Sequence, residues 1–180
     1  HVNDPAAVFR TAARFGAVSG EKADDMQRQQ HAAHMTDRRV AIVTDSAADI
    51  PDEELDRLDI HTIPVRVHFG EHSYLDKVGI TAEEFYGKIA AGEGPPKTSQ
   101  PPPGDFRRQF EFLGSHHSGV VSVNLTSRAS GTCAAAQTAA ARTVTHGQVS
   151  VIDSGNASTG QGLVAMYAAE CAMAGHDADR

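Results

Sequence analysis

The chain has 180 residues, and its 16 Lys and Arg residues against 23 Asp and Glu residues give a formal net charge of -7. This charge argues against broad nucleic-acid binding and against a polybasic membrane anchor, because both need a positive surface. No apolar run approaches the roughly 20 residues of a membrane-spanning helix, and residues 1–30 lack the apolar core of a signal peptide. We therefore expect a cytoplasmic protein with one domain or one domain plus an appendage, and the start at His1 suggests a piece of a longer chain.

Residues 1–39 differ in composition from the rest of the chain. The apolar spacing of residues 6–15 predicts a helix that Gly16 ends. Residues 21–35 are polar and rich in Gln, Asp and His, which is typical of a surface helix or a linker. We predict a helical leader or linker over residues 1–39 and an α/β domain over residues 40–180.

Short apolar runs alternate with segments of helical spacing from residue 40 on. The predicted strands are residues 40–43, residues 60–69 (where Pro64 either weakens the prediction or marks an edge or a bulge), residues 120–125 and a buried strand at residues 149–152. The predicted helices begin at Pro51, at a capping box from Thr81 to Glu84, at Asp105, at Gly131 and at a second capping box from Ser158 to Gln161. This alternation favours an α/β fold, with a mainly parallel sheet and helices on both faces.

Polar side chains follow three of the predicted strands. Two strands end in an Asp-Ser dipeptide, at Asp45 and at Asp153, and a third ends at Asn124 and leads to Ser130. In an open parallel sheet, ligands bind at the carboxyl ends of the strands. Each of these residues taken singly is more simply a helix cap, so it is their concentration at one end of the sheet that favours a binding site.

The motif Ser130-Gly131-Thr132 has the logic of an anion site. A helix N-terminus offers free backbone N–H groups and a partial positive charge, Gly131 would let an anion approach the backbone, and the Ser130 hydroxyl can donate one more hydrogen bond. A second pair of hydroxyls, Thr98 and Ser99, lies in a loop at residues 93–104 whose five prolines stiffen it at low entropic cost. The ligand group that both loops favour is a carboxylate or a phosphate.

Other chemistries have weaker signals. The sequence contains no Gly-x-Gly-x-x-Gly and no Gly-Lys-Ser/Thr, so the usual phosphate loops of nucleotide-binding folds are missing. Two histidine pairs, His31 with His34 and His116 with His117, have no Cys or acidic partners at ligand spacing. We therefore expect no metal site.

A set of short motifs occurs in a fixed order along residues 40–175. The motifs are Val43-Thr-Asp-Ser46, Ala48-Asp-Ile-Pro51, Ile63-Pro-Val65, Tyr74-Leu-Asp76, Glu84-Phe-Tyr86, Thr98-Ser-Gln-Pro101, Ser130-Gly-Thr132, Ile152-Asp-Ser154 and Gly160-Gln-Gly162. Their order and their places on the predicted strands and loops resemble the DegV family, the bacterial fatty-acid-binding proteins that serve fatty acid kinase.

The resemblance implies a long acyl chain in an apolar tunnel between two α/β domains, with its carboxyl group held by hydroxyls. It places the carboxylate contacts on Thr98 and Ser130, with Ser99 and Gly131 as weaker candidates. The ligand it implies is a long-chain fatty acid, with no cofactor, and transient membrane contact is compatible with such a carrier. The chain is expected to hold the first of the two domains only, without the second tunnel wall.

The two strand-end acids have a different expected role. We expect Asp45 and Asp153 to brace their loops rather than to contact the ligand, because an acid beside a bound carboxylate repels it unless one of them is protonated. Three departures from the family pattern, Pro102, Ala129 and Cys133, bear on the fit of the acyl chain more than on the carboxylate contacts.

Residues 1–35 carry a second, weaker resemblance, to the C-terminal end of the fatty acid kinase catalytic subunit. It rests on His1-Val-Asn-Asp-Pro5, Ala12-Ala-Arg-Phe-Gly16 and Asp25-Met-Gln-Arg-Gln29. It implies a fused kinase domain and a tether that raises the local concentration of the carrier. The alternative is an unrelated helical leader or a linker.

Three functions stay open at this point. The first is a fatty-acid-binding carrier, not itself an enzyme, that presents the lipid carboxylate to a kinase for acyl-phosphate formation. The second is an α/β enzyme acting on a small phosphorylated or carboxylated metabolite with Asp45 or Asp153 as general base, although no nucleophile–base pair is visible. The third is an interaction domain that has kept the fold without the ligand.

Overall fold

The structure is a computed structural model that describes residues 5–16 and 40–178. These residues form two compact units: a larger one of residues 40–63 and 100–178, and a smaller one of residues 5–16 and 64–99. Each unit has its own sheet and its own apolar cluster. No helix within the described part of the chain is long and apolar enough to cross a membrane.

The secondary structure follows the predicted alternation of strands and helices. The described elements, in chain order, are α1 (Pro5–Ala13), β1 (Val40–Asp45), a 3-10 turn (Ser46–Ala48), α2 (Asp52–Leu58), β2 (Ile60–Ile63), β3 (Arg66–Phe69), β4 (His72–Leu75), α3 (Ala82–Ala90), β5 (Lys97–Ser99), α4 (Pro103–His116), β6 (Gly119–Asn124), α5 (Thr132–Ala140), β7 (Gln148–Asp153) and α6 (Thr159–Met173).

The larger unit is built on a four-stranded parallel sheet in the order β2-β1-β6-β7. Central strand β1 pairs on both sides, with Val43 opposite His61 of β2 and opposite Ser122 of β6. All six residues of β1 are buried. A parallel strand that is covered on both faces needs apolar side chains in a continuous run, which is the pattern that predicted β1.

Helices cover both faces of this sheet. Successive side chains of a strand point to opposite faces, and those of β1 enter two different clusters. Ala41 and Val43 belong to a cluster with α4 and α5, whereas Val40 and Ile42 belong to a cluster with α2 and α6. The predicted α/β fold, a parallel sheet with helices on both faces, is therefore confirmed.

The smaller unit has an antiparallel sheet in the order β4-β3-β5. Its core consists of Val67, Phe69 and Ile80, with half-buried Phe85 of α3 packed against them. The predicted capping box at the start of α3 is present. The Thr81 N–H donates to Glu84 Oε2 at 2.9 Å, and the Glu84 N–H donates to Thr81 Oγ1 at 3.1 Å.

The prediction of one strand over residues 60–69 is wrong. The structure divides it into β2, which is parallel to β1 in the larger unit, and β3, which is antiparallel in the smaller unit. Pro64 lies between them and has no N–H to donate to a ladder. The proline therefore separates two strands of two sheets instead of producing an edge or a bulge in one.

Two further predictions about strands need correction. Residues 97–99, expected within a proline-rich loop, form β5 and pair with β3. The strand at residues 149–152 is present as β7, but it is partly exposed, and its Ile152 side chain is 44% accessible. In the described sheet β7 pairs only with β6, so an apolar run here does not mean burial on both sides.

Candidate ligand-binding site

Buried polar side chains gather at the carboxyl end of the parallel sheet. Five of them are 0% exposed: Thr44, Asp45, Asn124, Thr132 and Gln161. Polar groups without access to water are almost always hydrogen-bonded inside the protein. Their hydrogen bonds therefore show what this end of the sheet is organised to hold.

Asp45 ties the turn after β1 to the loop after β6. Its Oδ1 accepts from the Ala47 N–H at 3.1 Å, and its Oδ2 accepts from the Leu125 N–H at 2.9 Å. Burial raises the pKa of Asp45, against hydrogen bonds from Leu125, Gln161 and Ala47 that lower it. The carboxylate is thus committed to backbone groups on two loops.

A pH dependence follows from the raised pKa of Asp45. In the folded state such a carboxyl keeps its proton up to a higher pH than in the unfolded state, where its pKa is about 3.9. The free energy of unfolding of the native protein, relative to Asp45→Asn, should fall as the pH rises from about 4 through the raised pKa, and level off above it. Urea unfolding in steps from about pH 3 to about pH 8 measures this difference. A difference that grows with pH would contradict the prediction.

Asp153 makes the corresponding contacts at the end of β7. Its Oδ1 accepts from the Gly155 N–H at 2.9 Å, and its Oδ2 accepts from the Ser127 N–H at 3.2 Å. Hydrogen bonds from the side chain of Ser127 and from these N–H groups lower the pKa of this exposed carboxyl. Two acids on two strands therefore hold one loop, residues 125–127, from either side.

This loop leads directly to the predicted anion motif. The Thr126 N–H donates to the carbonyl of Asn156 at 3.0 Å, and the Thr126 carbonyl accepts from the Ser130 N–H at 3.2 Å. Ser130 is half-buried and directly precedes Gly131, the N-cap of α5. The braced loop therefore fixes the position of Ser130 at the start of the helix.

The Ser130 hydroxyl is engaged with its own helix. Ser130 Oγ accepts from the Thr132 N–H at 3.2 Å and lies 2.8 Å from Thr132 Oγ1. One of the N–H groups expected to be free at this helix start is thus already capped. The Thr132 side chain was not among the predicted site residues, although it belongs to the same motif.

Gly131 has a role in space rather than in backbone conformation. Its φ of -76° is open to any residue, but a Cβ at this position would collide with the side-chain amide of Gln100. Gln100 is exposed and precedes α4 in the larger unit. The Gln100 side chain therefore fills the space in which a Cβ of residue 131 would lie.

The other predicted contacts, Thr98 and Ser99, lie on β5 of the smaller unit, and both are exposed. Adjacent residues of a strand face opposite sides of the sheet, so one ligand group cannot meet both from the same face. Ser99 Oγ lies 2.8 Å from His68 Nε2. Thr98 stands opposite Val67, and its hydroxyl has no partner among the described residues.

The second predicted capping box is wrong. Ser158 is the N-cap of α6, but its side chain makes no cap hydrogen bond. Its backbone has φ 52° and ψ -135°, a combination that strains any residue other than glycine. The Ser158 hydroxyl donates instead to Asp49 Oδ2 at 2.8 Å. The strained Ser158 thus links the start of α6 to the turn after β1.

Gln161, expected to close that box, is instead a core residue. Its Nε2 donates to Thr44 Oγ1 at 3.0 Å, and Thr44 Oγ1 donates to the Val123 carbonyl at 2.7 Å. The Gln161 Oε1 is buried and has no hydrogen-bond partner among the residues that the structure describes. The sequence signal for this role is the neighbouring Gly162, since a Cβ there would lie 2.5 Å from the Ala48 carbonyl oxygen. Small residues let α6 approach the sheet closely enough for Gln161 to reach β1.

The described residues hold no group of three or more His, Cys, Asp or Glu side chains that is arranged to bind a metal. His116 Nδ1 and His117 Nδ1 lie 2.8 and 3.0 Å from the carbonyls of Phe112 and Leu113. The pair His31 and His34, and the predicted linker at residues 21–35, fall outside the described residues.

Comparison with known families decides where the chain belongs. A family model described as "Uncharacterised protein, DegV family" matches residues 39–180. The chain belongs to the DegV family. This match confirms the resemblance that the ordered motifs indicate.

DegV relatives match the chain in sequence and in fold. Protein DegV of Bacillus subtilis is 37% identical over 131 residues, which are 73% of this chain and 46% of that protein. A crystal structure of DegV from Bacillus subtilis, titled a fatty acid binding protein, has a TM-score of 0.73 at 35% identity and covers 77% of this chain and 49% of that chain.

Two other solved structures give the same result. A DegV family protein from Thermus thermophilus, titled by its fatty acid binding, has a TM-score of 0.72 at 33% identity over 78% of this chain and 50% of that chain. A stearic acid-binding protein from Eubacterium ventriosum has a TM-score of 0.70 at 28% identity over the same shares. The chain therefore spans about half the length of the relatives that it matches.

Proposed function

We propose that the protein containing this chain binds a long-chain fatty acid by its carboxylate. The observation that carries the proposal is membership of a family in which solved relatives are titled as fatty-acid-binding proteins. The braced loop of the larger unit supports it, because Asp45 and Asp153 hold in place the segment that leads to Ser130.

The proposed head-group contacts are the hydroxyls of Thr98 and Ser130, with Ser99 and Gly131 as weaker candidates. An exposed hydroxyl without a partner in the described part of the chain, as at Thr98, can donate to a carboxylate without giving up a bond to those residues. Ser130 lies at the start of α5, where the helix dipole favours a negative charge. For Ser99 the bond to His68 is a competitor.

The proposed organisation and pathway go one step further. Residues 40–180 are the first domain of a two-domain carrier, and residues 1–39 are a leader or the end of a fused kinase domain. The carrier then presents its lipid carboxylate to the fatty acid kinase catalytic subunit for acyl-phosphate formation. The order of the family motifs in residues 40–175 and the resemblance in residues 1–35 support this proposal.

Fatty-acid recovery by the delipidated, full-length protein tests the proposed function. Mass spectrometry of the co-purifying ligand should show a long-chain fatty acid rather than a phosphorylated metabolite. Thr98→Ala and Ser130→Ala should each weaken binding at least tenfold, since a hydrogen bond to a charged group is worth about 1.5–3 kcal/mol and about 1.4 kcal/mol is tenfold.

Matched controls on exposed hydroxyls separate this effect from general damage. Thr138 and Ser115 donate their hydroxyls to the carbonyls of Ala134 and Phe112 in their own helices. Thr138→Ala and Ser115→Ala should therefore bind like the native protein. Unchanged affinity in the Thr98→Ala/Ser130→Ala double variant would refute the site, and absence of any fatty acid would refute the function.

A further inference from the structure

The Ser130 hydroxyl oxygen lies against two hydrogen-bond donors of one residue. The Thr132 N–H donates to Ser130 Oγ at 3.2 Å, and Thr132 Oγ1 lies 2.8 Å from the same oxygen. Thr132 is 0% exposed, whereas Ser130 is half-buried. The oxygen of a partly accessible serine is thus held by the backbone and the side chain of a fully buried threonine.

The burial of Thr132 fixes the direction of the bond between the two hydroxyls. Within residues 5–16 and 40–178, Ser130 Oγ is the sole acceptor at hydrogen-bond distance from the Thr132 hydroxyl. If Ser130 donated to Thr132, the hydroxyl hydrogen of Thr132 would be buried without an acceptor. An unsatisfied buried donor costs free energy comparable to a lost hydrogen bond. Thr132 therefore donates, and Ser130 accepts.

This direction leaves Ser130 with one function toward a ligand. A hydroxyl oxygen has two acceptor lone pairs, and the N–H and O–H of Thr132 fill both. The hydrogen of Ser130 then has no acceptor among the described residues. Ser130 can then donate a hydrogen bond, but it has no lone pair left with which to accept one.

We propose that Thr132 is a positioning residue that makes Ser130 a donor only, so that the site selects an ionised carboxylate over an alcohol of the same length. The inference rests on the proposed function, because it assigns selectivity to the proposed carboxylate site. An ionised carboxylate only accepts hydrogen bonds, and it therefore matches Ser130. An alcohol also has to place its own O–H hydrogen, for which Ser130 offers no acceptor.

Titration with hexanoate and with hexan-1-ol tests the selectivity. The amide signal of Gly131 in NMR spectra of the full 180-residue chain gives the two dissociation constants. The native chain should prefer hexanoate, and Thr132→Val should reduce the ratio of the two constants about fivefold, since it frees a lone pair of Ser130 for the alcohol. Thr132→Ser keeps the donor and should restore the native ratio.

Two further variants keep the test decisive. Thr138→Val makes the same change on an exposed position of α5, and it should leave the ratio unchanged. Thr132→Ala is smaller and reports the same ratio if valine does not fit. If Thr132→Val and Thr132→Ala keep the native ratio while the native chain binds hexanoate, this inference is overturned and the proposed function stands. If the native chain binds neither probe and the full-length protein retains no fatty acid, both are overturned.

Discussion

Replacing Asp45 by alanine should lower the free energy of unfolding by about 2–4 kcal/mol. The substitution removes the 0% exposed carboxylate that accepts from the N–H groups of the half-buried residues Ala47 and Leu125. A donor that loses its acceptor out of reach of water costs about 1–3 kcal/mol. Relief from burying a carboxylate, whose pKa is raised by that burial, offsets part of this cost. Urea unfolding at neutral pH, followed by circular dichroism, gives the value.

Asp153→Ala is the matched control for this prediction. It also removes a carboxylate that accepts two backbone N–H groups, but these contacts are exposed, so water can replace the lost acceptor. The loss should be clearly smaller than for Asp45→Ala. Asp45→Asn should fall between the native protein and Asp45→Ala, because its one amide oxygen can serve one of the two N–H groups. Equal losses in the two alanine variants would mean that burial does not decide the effect.

Asp45→Ala should also weaken ligand binding. Asp45 holds Leu125, and the loop that begins there carries Ser130 to the start of α5. A carboxylate site depends on donors fixed at the right distance. Asp45→Ala should therefore weaken fatty-acid binding in the full-length protein even under conditions where the variant is fully folded.

Local sequence signals predicted the elements whose stabilising contacts are themselves local. The capping box at Thr81 and Glu84 needs only residues within one helical turn, and it is present. Phe106, Phe110 and Leu113 recur at the spacing of one helical face, and all three are 0% exposed in α4. The continuous apolar run of β1 likewise indicated a strand covered on both faces, as the structure shows.

Local sequence signals could not predict the contacts between residues that are distant in the chain. Ser158 and Gln161 match the capping-box pattern, yet the close approach of α6 to β1 takes the Gln161 amide into the core, where it donates to Thr44. The division of residues 60–69 between two sheets depends on pairing partners elsewhere in the chain, β1 for one half and β4 and β5 for the other. Local residue spacing predicts neither the position of Gln161 nor the division of residues 60–69.

In the candidate site, too, the sequence indicates some residues but not their long-range contacts. Ser130 and the strand-end acids stand out in the sequence, because an Asp or a Ser directly after an apolar run is easily recognised. What the acids bind could not be predicted, since Asp45 accepts from Leu125, which is 80 residues away. The position of Gln100 against Gly131 is a contact of the same long-range kind.

The other large effect is expected at Gly162. A Cβ at this position would lie 2.5 Å from the carbonyl oxygen of Ala48 and 3.1 Å from Ile50 Cγ1. The nearer atom belongs to the backbone, so relief requires a movement of α6 or of the 3-10 turn that follows β1. Overpacking of this kind costs about 1–3 kcal/mol, and it outweighs the gain of up to about 1 kcal/mol that alanine brings to a helix. Gly162→Ala should therefore lower the free energy of unfolding.

Gly104→Ala is the control for Gly162→Ala, because the same substitution should not lower the free energy of unfolding there. Gly104 is an exposed residue in the first turn of α4, and a Cβ there would meet no atom of residues 5–16 or 40–178 within 4 Å. This variant should be as stable as the native protein or slightly more stable. If Gly162→Ala and Gly104→Ala change the free energy of unfolding by the same amount, α6 tolerates the shift. If α6 does move in Gly162→Ala, the neighbouring Gln161 should lose its bond to Thr44, and this loss would appear as faster hydrogen exchange along β1.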